Sequence, residues 1–432
     1  MTFEILFLLI FSVQESSADK LNEAIQKSKD GDTIIVRGGK FQGNLEINKK
    51  LKIIGLNKPV IDGQGKGTII KITKPAEFRG FIIKNTGNTL ENEDSAIFVE
   101  NTSEVIIEEN LFEDVLFGIY LKSVQFGVIK KNKIKGKKLD ISQRGDGIRL
   151  WNTRDILIEE NIIEDSRDAV IWYSENVTFN KNKVLNSRYG LHYMYSNNNR
   201  LSENEFIGNV VGTFIMFSKN ILVENSVFGG AKELSGMGIG FKDASAVVVR
   251  GNLIADNTVG MYFANSPEYI TEEKVSPEDA SEEKIITGKV HGNLIKNNVF
   301  AFNTVALRIL PPSFPNYIIE NTFWGNIILC EFEQVLEDKN LWYSNYYENY
   351  RGFDLDGDGF GDFPFRYESL FIKLLLDYPE IRFLYFSPLR TLFEYISNVL
   401  PFLKPEAIFS DQKPKISPEF FGWKNRGIEK WN

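Results

Sequence analysis

Residues 156–163 read ILIEENII and residues 177–184 read VTFNKNKV, two β-rich runs that each close on Asn, one further residue and an apolar one. The pattern recurs in VIIEENLF (105–112), GVIKKNKI (127–134), RLSENEF (200–206), ILVENSVF (221–228), VVVRGNLI (247–254), LIKNNVF (294–300) and YIIENTF (317–323). Its asparagines are Asn110, Asn132, Asn161, Asn182, Asn204, Asn225, Asn252, Asn298 and Asn321, mostly 21 to 29 residues apart. The one long interval, Asn252 to Asn298, holds a charged insertion at 267–290. Self-similarity at this period, with β-branched strands and Gly or Asn turns, predicts an all-β chain: a right-handed parallel β-helix of about ten coils, three short strands to each. Parallel strands are expected from about residue 30 to 345, each about 4.8 Å from its equivalent. The asparagines then stack at an inward turn as an amide ladder. They are scaffold. Leucine-rich repeats share the period, but their Leu and Asn pattern is absent.

Both ends of such a solenoid need covering, because an open coil exposes unpaired strand edges. Ala18–Ser28 has the spacing of a short amphipathic helix over the first coil. Before it, MTFEILFLLIFSVQESSADK carries an apolar run, Ile5 to Val13, too short to span a bilayer. Ser16 and Ala18 follow where a signal peptidase would cut, although Glu4 replaces the usual positive charge. The expected organisation is a signal peptide at 1–18, a β-helix at 19–349 with the 267–290 insertion, and a loop with a mainly helical cap and tail at 350–432.

The 432 residues are 43% hydrophobic and 13% aromatic, ample for an ordered core. A net charge of −8, with both signs interspersed, argues against a nucleic-acid partner, which needs a basic surface. One cysteine, Cys330, excludes an internal disulfide framework, and two histidines, His192 and His291, exclude a site of several imidazoles.

A second strand aligns through a leading small residue: GIYLKS from Gly118, GIRLWN from Gly147, DAVIWYS from Asp168, GLHYMYS from Gly190, GTFIMFS from Gly212, GIGFKD from Gly238 and GMYFAN from Gly260. Strand side chains alternate. The first and third positions after the small residue (Ile119/Leu121 through Met261/Phe263) are apolar and form the core. The second and fourth then face outward, giving the rows Tyr120, Arg149, Val170, His192, Phe214, Gly240, Tyr262 and Lys122, Trp151, Trp172, Met194, Met216, Lys242, Ala264. Large exposed apolar patches mark binding surfaces, so Trp151, Trp172, Phe214 and Tyr195 are read as a partner surface. The other reading is that a loop, or the insertion, folds over this face. His192 and Met194 lie two apart on one strand, about 7 Å, and the ladder puts Met216 one rung from Met194. One imidazole with soft thioethers suits Cu(I), with Met237 as a fourth donor.

Asp354-Leu-Asp356-Gly-Asp358-Gly-Phe-Gly-Asp362 matches the first nine positions of an EF-hand-like loop. Asp354, Asp356, Asp358 and Asp362 stand at positions 1, 3, 5 and 9, with the Phe360 carbonyl at 7 and Gly359 at the turn. Position twelve is Phe365 rather than Glu, so a structural Ca²⁺ of modest affinity is expected. From Tyr367 to Leu403 apolar residues recur at helical spacing, broken by Pro379 and Pro388, predicting two or three short helices. Their apolar content exceeds what one solenoid end can bury.

These residues together resemble the NosD family, periplasmic maturation factors of nitrous-oxide reductase. The resemblance is carried by GDGIRLWN (145–152), RDAVIWYS (167–174), RYGLHYMYS (188–196), GTFIMFS (212–218), GMGIGFKD (236–243), NNVFAFNTVALRILP (297–311) and YRGFDLDGDGFGDFPF (350–365). It implies a periplasmic, non-enzymatic copper-handling protein, loaded with Cu(I) transiently. It also implies partners: an ABC transporter permease and ATPase at the membrane, a copper chaperone, and nitrous-oxide reductase. The 267–290 insertion departs from the family. The competing reading is a carbohydrate-active β-helix, a polyuronate lyase or epimerase using residues such as Asp146, Arg149, Asp168, His192, Lys242 and Asp243. That chemistry needs a base and a carboxylate-neutralising cation in an open groove.

Overall fold

A computed structural model describes residues 9–11, 20–264, 276–277, 280–287, 291–310, 315–332, 340–403 and 405–423. They form two compact units, Met1–Asn209 and Val210–Asn432. Each unit is a run of parallel β-helix coils. The strand type that occurs once per coil appears eight times in the first unit and five times in the second. Thirteen coils replace the ten expected. The difference arises at the N-terminal end: Lys40–Gln42, Val60–Asp62 and Ile82–Lys84 form coils in perfect register without an asparagine at the ladder position, so their sequence carries no repeat signal.

A typical coil of the first unit has strands Ile148–Trp151, Arg154–Glu159 and Ile162–Glu164. Every described pairing between coils within a unit is parallel. The inward alternation follows the sequence: Ile119, Leu121, Ile148, Leu150, Ala169, Ile171, Leu191 and Tyr193 are all 1% exposed or less. Helix α1, Lys20–Lys27, buries Leu21, Ala24 and Ile25 at the N-terminal end, as its amphipathic pattern requires. Most of residues 1–18 lies outside the described residues; Leu9–Phe11 pairs in parallel with Ile34–Val36.

The amide ladder runs as expected. In the first unit the N–H and Nδ2 of Asn110 donate to Asn132 Oδ1, Asn132 to Asn161, Asn161 to Asn182 and Asn182 to Asn204, at 2.8–3.3 Å. In the second unit Asn252, Asn298, Asn321 and Asn345 repeat it. One assignment is corrected. Phe228 pairs with Ile254, so the residue level with Asn252 is Ser226, not Asn225; Ser226 N–H donates to Asn252 Oδ1 at 2.9 Å. Asn225 sits beside it in the left-handed backbone region, at φ 49°.

The composition change near residue 349 falls inside the second unit. There α3 (Leu370–Asp377) and α4 (Pro388–Val399) flank a 3₁₀ segment, Pro379–Leu384. Both prolines start an element, where the missing N–H costs nothing. The ladder's end is closed by Asp411: its Oδ2 accepts from Asn345 N–H and Nδ2, both at 3.0 Å, in the place of a further asparagine. Of the insertion, α2 (Glu282–Ile286) is described; its Ile285 packs with Ala280 on Val248, Leu294 and Tyr317.

Asn161→Ala tests the ladder. It removes the acceptor of Asn132 and the donor to Ile129 O, leaving several buried polar groups unsatisfied at about 1–3 kcal/mol each. A loss of about 3 kcal/mol or more is expected in denaturant titration, against little change for the exposed Asn88→Ala.

Candidate functional site

The expected ladder register holds within each unit. Tyr120, Arg149, Val170 and His192 stand opposite one another in successive coils, beside Lys122, Trp151, Trp172 and Met194. Phe214, Gly240 and Tyr262 do so in the second unit, beside Met216, Lys242 and Ala264. His192 and Met194 therefore belong to the first unit, Met216 and Met237 to the second.

The openness of this face is corrected. Tyr120, Val170 and His192 are only 3%, 1% and 6% exposed. Their cover in the first unit comes from residues remote in sequence. Glu93 accepts Arg149 Nη1 at 2.8 Å, and the guanidinium so held lies over Phe117, Tyr120 and Trp172, at 5.3–5.7 Å from the ring centres. Trp172 meets His192 edge-on at 5.4 Å, and Tyr189 packs on its other side at 5.0 Å. Tyr189 owes its place to a shift of register between Asp168 and Val170, a bulge of the kind that re-aims a side chain. Asp168 Oδ1 accepts its N–H at 3.2 Å.

His192 is thereby kept neutral. Burial pushes its pKa down to about 4; Asp168 opposes the shift and Arg188 adds to it. A neutral imidazole is the form that binds a metal. Met194 and Trp172 remain half-buried next to it, with half-buried Trp151 one coil beyond Trp172, and Trp172 Nε1 has no hydrogen-bond partner among the described residues. Tyr195, one residue beyond Met194, lines a separate groove. In the second unit, Phe214 lies over Gly240: a Cβ there would stand 2.1 Å from the ring and 3.0 Å from Met237 Sδ. The absent side chain lets Phe214 and the Met237 thioether meet. Met216 is half-buried beside them in register with Lys242.

The residues of a lyase-like reading are tied down. Asp146 and Asp168, in consecutive coils, are each 1% exposed and paired to Arg167 and Arg188. Burial, then the neighbouring Asp168, pushes Asp146 up to about 6, with Arg167 and Arg149 opposing. These arginines escaped the sequence reading. The Ser-Arg pairs at 166–167 and 187–188, one coil apart, were the available signal.

In the second unit, Asp354, Asp356 and Asp358 converge, with carboxylate oxygens within 4.8 Å of one another. Asp354 accepts from the N–H groups of Gly357, Asp358 and Gly359. Gly359 takes φ 87°, as the turn position requires. Asp362 instead accepts the Leu355 N–H at 2.6 Å, and Lys413 Nζ stands 2.9 Å from Asp358. The cap exposes Phe383 (78%), Phe386 (75%), Tyr395 (65%) and Phe402 (80%). Among the described residues no helix is long and apolar enough to cross a membrane.

The sequence model of a family described as periplasmic copper-binding protein (NosD) matches residues 130–353, more than half of the chain and nearly all of the ladder face. The chain belongs to the NosD family. A NosD from Pseudomonas aeruginosa, described as a probable ABC transporter binding protein, is 25% identical over 94% of this chain and 93% of its own length. A second, from Stutzerimonas stutzeri and described in the same words, is 28% identical over 27% of each chain. Among solved structures, tailspike protein 3 of bacteriophage CBA120 is similar with a TM-score of 0.52 at 10% identity, over 78% of this chain and 62% of that one. The A-module of a mannuronan C-5 epimerase from Azotobacter vinelandii reaches 0.46 at 13% identity, over 74% and 92%. These likenesses are of fold alone. The NosD match ends one residue before Asp354, so the acidic loop lies outside it.

With only two histidines, the His192 imidazole can be followed directly by NMR in metal-free protein. It should titrate near pH 4 rather than 6.5. A folded pKa below the unfolded one means stability that is full above about 6.5 and lost as pH falls towards 4. Asp146, raised to about 6, acts in the opposite sense over part of this window. The difference in stability between wild type and His192→Gln should therefore rise with pH from 4 to 6.5. A difference independent of pH would contradict the assignment.

Proposed function

We propose that this NosD-family protein handles Cu(I) in the periplasm and works with an ABC transporter in maturing the copper centres of nitrous-oxide reductase. The family's description supports the metal and the compartment, and the names of its relatives support the transporter. The observation that carries the reading is His192, buried, neutral and flanked by Trp172 and Tyr189 with Met194 two residues on. In the first unit His192 and Met194 offer an imidazole and a thioether; in the second Met216 and Met237 offer two thioethers. Such donors favour Cu(I) over hard cations. Copper here is cargo, received from a chaperone and released to the reductase, and the half-buried thioethers leave room for handover. The exposed cap aromatics are the surface proposed for the permease, which would bring the protein to the membrane.

A competition titration with a Cu(I) chelator tests this. His192→Gln/Met194→Leu should weaken Cu(I) binding at least tenfold. Met216→Leu/Met237→Leu should do so for the second unit's donors, with side-chain volume nearly kept. Unchanged affinity in both would remove copper from this face. Polyuronate cleavage by the protein would favour the lyase reading instead. Against that reading stand Asp146 and Asp168, each 1% exposed and held by an arginine.

Ca²⁺ is proposed for the acidic loop, as a structural ion. Three converging carboxylates fit it, the Phe360 carbonyl is proposed as a further ligand from its place in the loop, and Lys413 supplies the counter-charge that calcium would displace from Asp358. A ligand of the native state stabilises by mass action. Ca²⁺ should therefore raise the melting temperature and EDTA reverse the rise, with no effect in Asp356→Ala. Identical melting in all conditions would exclude the ion.

A further inference from the structure

His192 is 6% exposed, so its cover must move before the imidazole can meet anything from solution. In the first unit one side of that cover is a chain of three contacts. Glu93 accepts Arg149 Nη1 at 2.8 Å, the guanidinium lies 5.3 Å from the centre of the Trp172 ring, and Trp172 meets His192 edge-on. Glu93 closes a turn in which Asn88, Thr89, Glu91 and Asn92 are exposed. The turn is tied to itself: Thr89 N–H donates to Asp94 Oδ2, and Glu93 N–H to Leu90 O. The Glu93 carboxylate has Arg149 as its single hydrogen-bond partner among the described residues. Trp172 Nε1 makes no hydrogen bond among them either, so no directional bond pins the indole. The other flank of His192 is fixed. Arg188 lies over the Tyr189 ring at 4.7 Å and is itself bonded to both oxygens of Asp168.

Arg149 has a second carboxylate within reach. Its Nε stands 3.6 Å from Asp146 Oδ2, beyond hydrogen-bonding distance. Both atoms are buried and neither has a hydrogen-bond partner among the described residues, while Asp146 Oδ1 accepts from Arg167 Nη2 at 3.2 Å. A buried donor facing a buried acceptor at this separation is a bond left unmade, which costs free energy. Stranding a buried charge would be strongly destabilising. Release of Glu93 does not strand this one, because the guanidinium can close on Asp146 and satisfy both orphaned atoms. One buried charge with two discrete partners is the kind of element that switches rather than deforms.

We propose that the Glu93–Arg149 ion pair is a latch on His192: closed, it holds Trp172 against the imidazole, and when Arg149 passes from Glu93 to Asp146 the indole is released and the imidazole opens to solvent. Arg149 is thus a positioning residue, acting on His192 only through Trp172. The consequence for metal transfer rests on reading His192 as a copper ligand; the latch itself does not.

Diethyl pyrocarbonate, which acylates neutral imidazole, tests the latch in the metal-free full chain. The two histidines supply an internal reference, His192 being buried and His291 exposed. Rates at each are followed by peptide mass spectrometry. In the wild type His192 should react at least tenfold more slowly than His291. Glu93→Ala removes the carboxylate from an exposed turn without entering the core, and should raise the His192 rate threefold or more with His291 unchanged. Asn161→Ala, which weakens the same unit away from the latch, should leave the ratio of the two rates as in the wild type. Equal reactivity of the two histidines in the wild type, an unchanged ratio in Glu93→Ala, or an equal rise in Asn161→Ala would overturn the latch. Transfer of bound Cu(I) to a chelator should quicken severalfold in Glu93→Ala. If neither form binds Cu(I), copper is removed from His192, and the acylation rates still decide the latch.

Discussion

The buried carboxamide ladder is the interaction on which everything else rests. Each asparagine donates its N–H and Nδ2 to the Oδ1 of the next coil, and Nδ2 donates also to a backbone carbonyl of an earlier one, as Asn132 does to Ile107 O at 2.9 Å. The turn is thereby satisfied only in one register. Because strand side chains alternate, a slip of one residue would send His192 and Met194 inward and Leu191 and Tyr193 to the surface. At the second unit's end, Asp411 takes the role of the next amide, and its second oxygen accepts the Ser344 N–H at 3.0 Å.

Buried charge does at the ladder face and the cap what amides do in the core. Glu331, fully buried, is bonded to Arg308 from the coils and to Arg382 from the 3₁₀ segment, at 2.7–3.0 Å. Removing one partner of such a group leaves an uncompensated charge and is strongly destabilising. The clamp holds Pro379–Leu384 in place while Phe383 and Phe386 stay outside. In the first unit, Glu93, Arg149, Asp146, Arg167, Asp168 and Arg188 form the equivalent framework, and its Asp168 and Arg188 act on His192 in opposite senses.

Much of this was legible in the sequence, and the failures have physical causes. The fold, the ladder from Asn110 to Asn204, and the facing rows from Tyr120 to His192 follow from local alternation and a repeat, which need only neighbours in sequence. The first coils were undercounted because Gly39, Pro59 and Phe81 stand where asparagine would have marked them. Asn225 misled because it satisfies the motif one residue early, while Ser226 keeps the register. The cover of His192 was not legible: Glu93 reaches Arg149 across 56 residues, and Tyr189 arrives through a bulge that equal spacing cannot reveal. The acidic loop was readable as a motif, but the engagement of Asp362 with Leu355 and of Lys413 with Asp358 is tertiary.

The central proposal is that Cu(I) binds the first unit's His192 imidazole and Met194 thioether. X-ray absorption at the copper edge, on the full-length protein loaded with one equivalent of Cu(I), observes those donors directly. The account predicts nitrogen and sulfur scatterers together in the inner shell, with the nitrogen contribution lost in His192→Gln. An inner shell of light atoms alone, or a spectrum unchanged by that substitution, would contradict it.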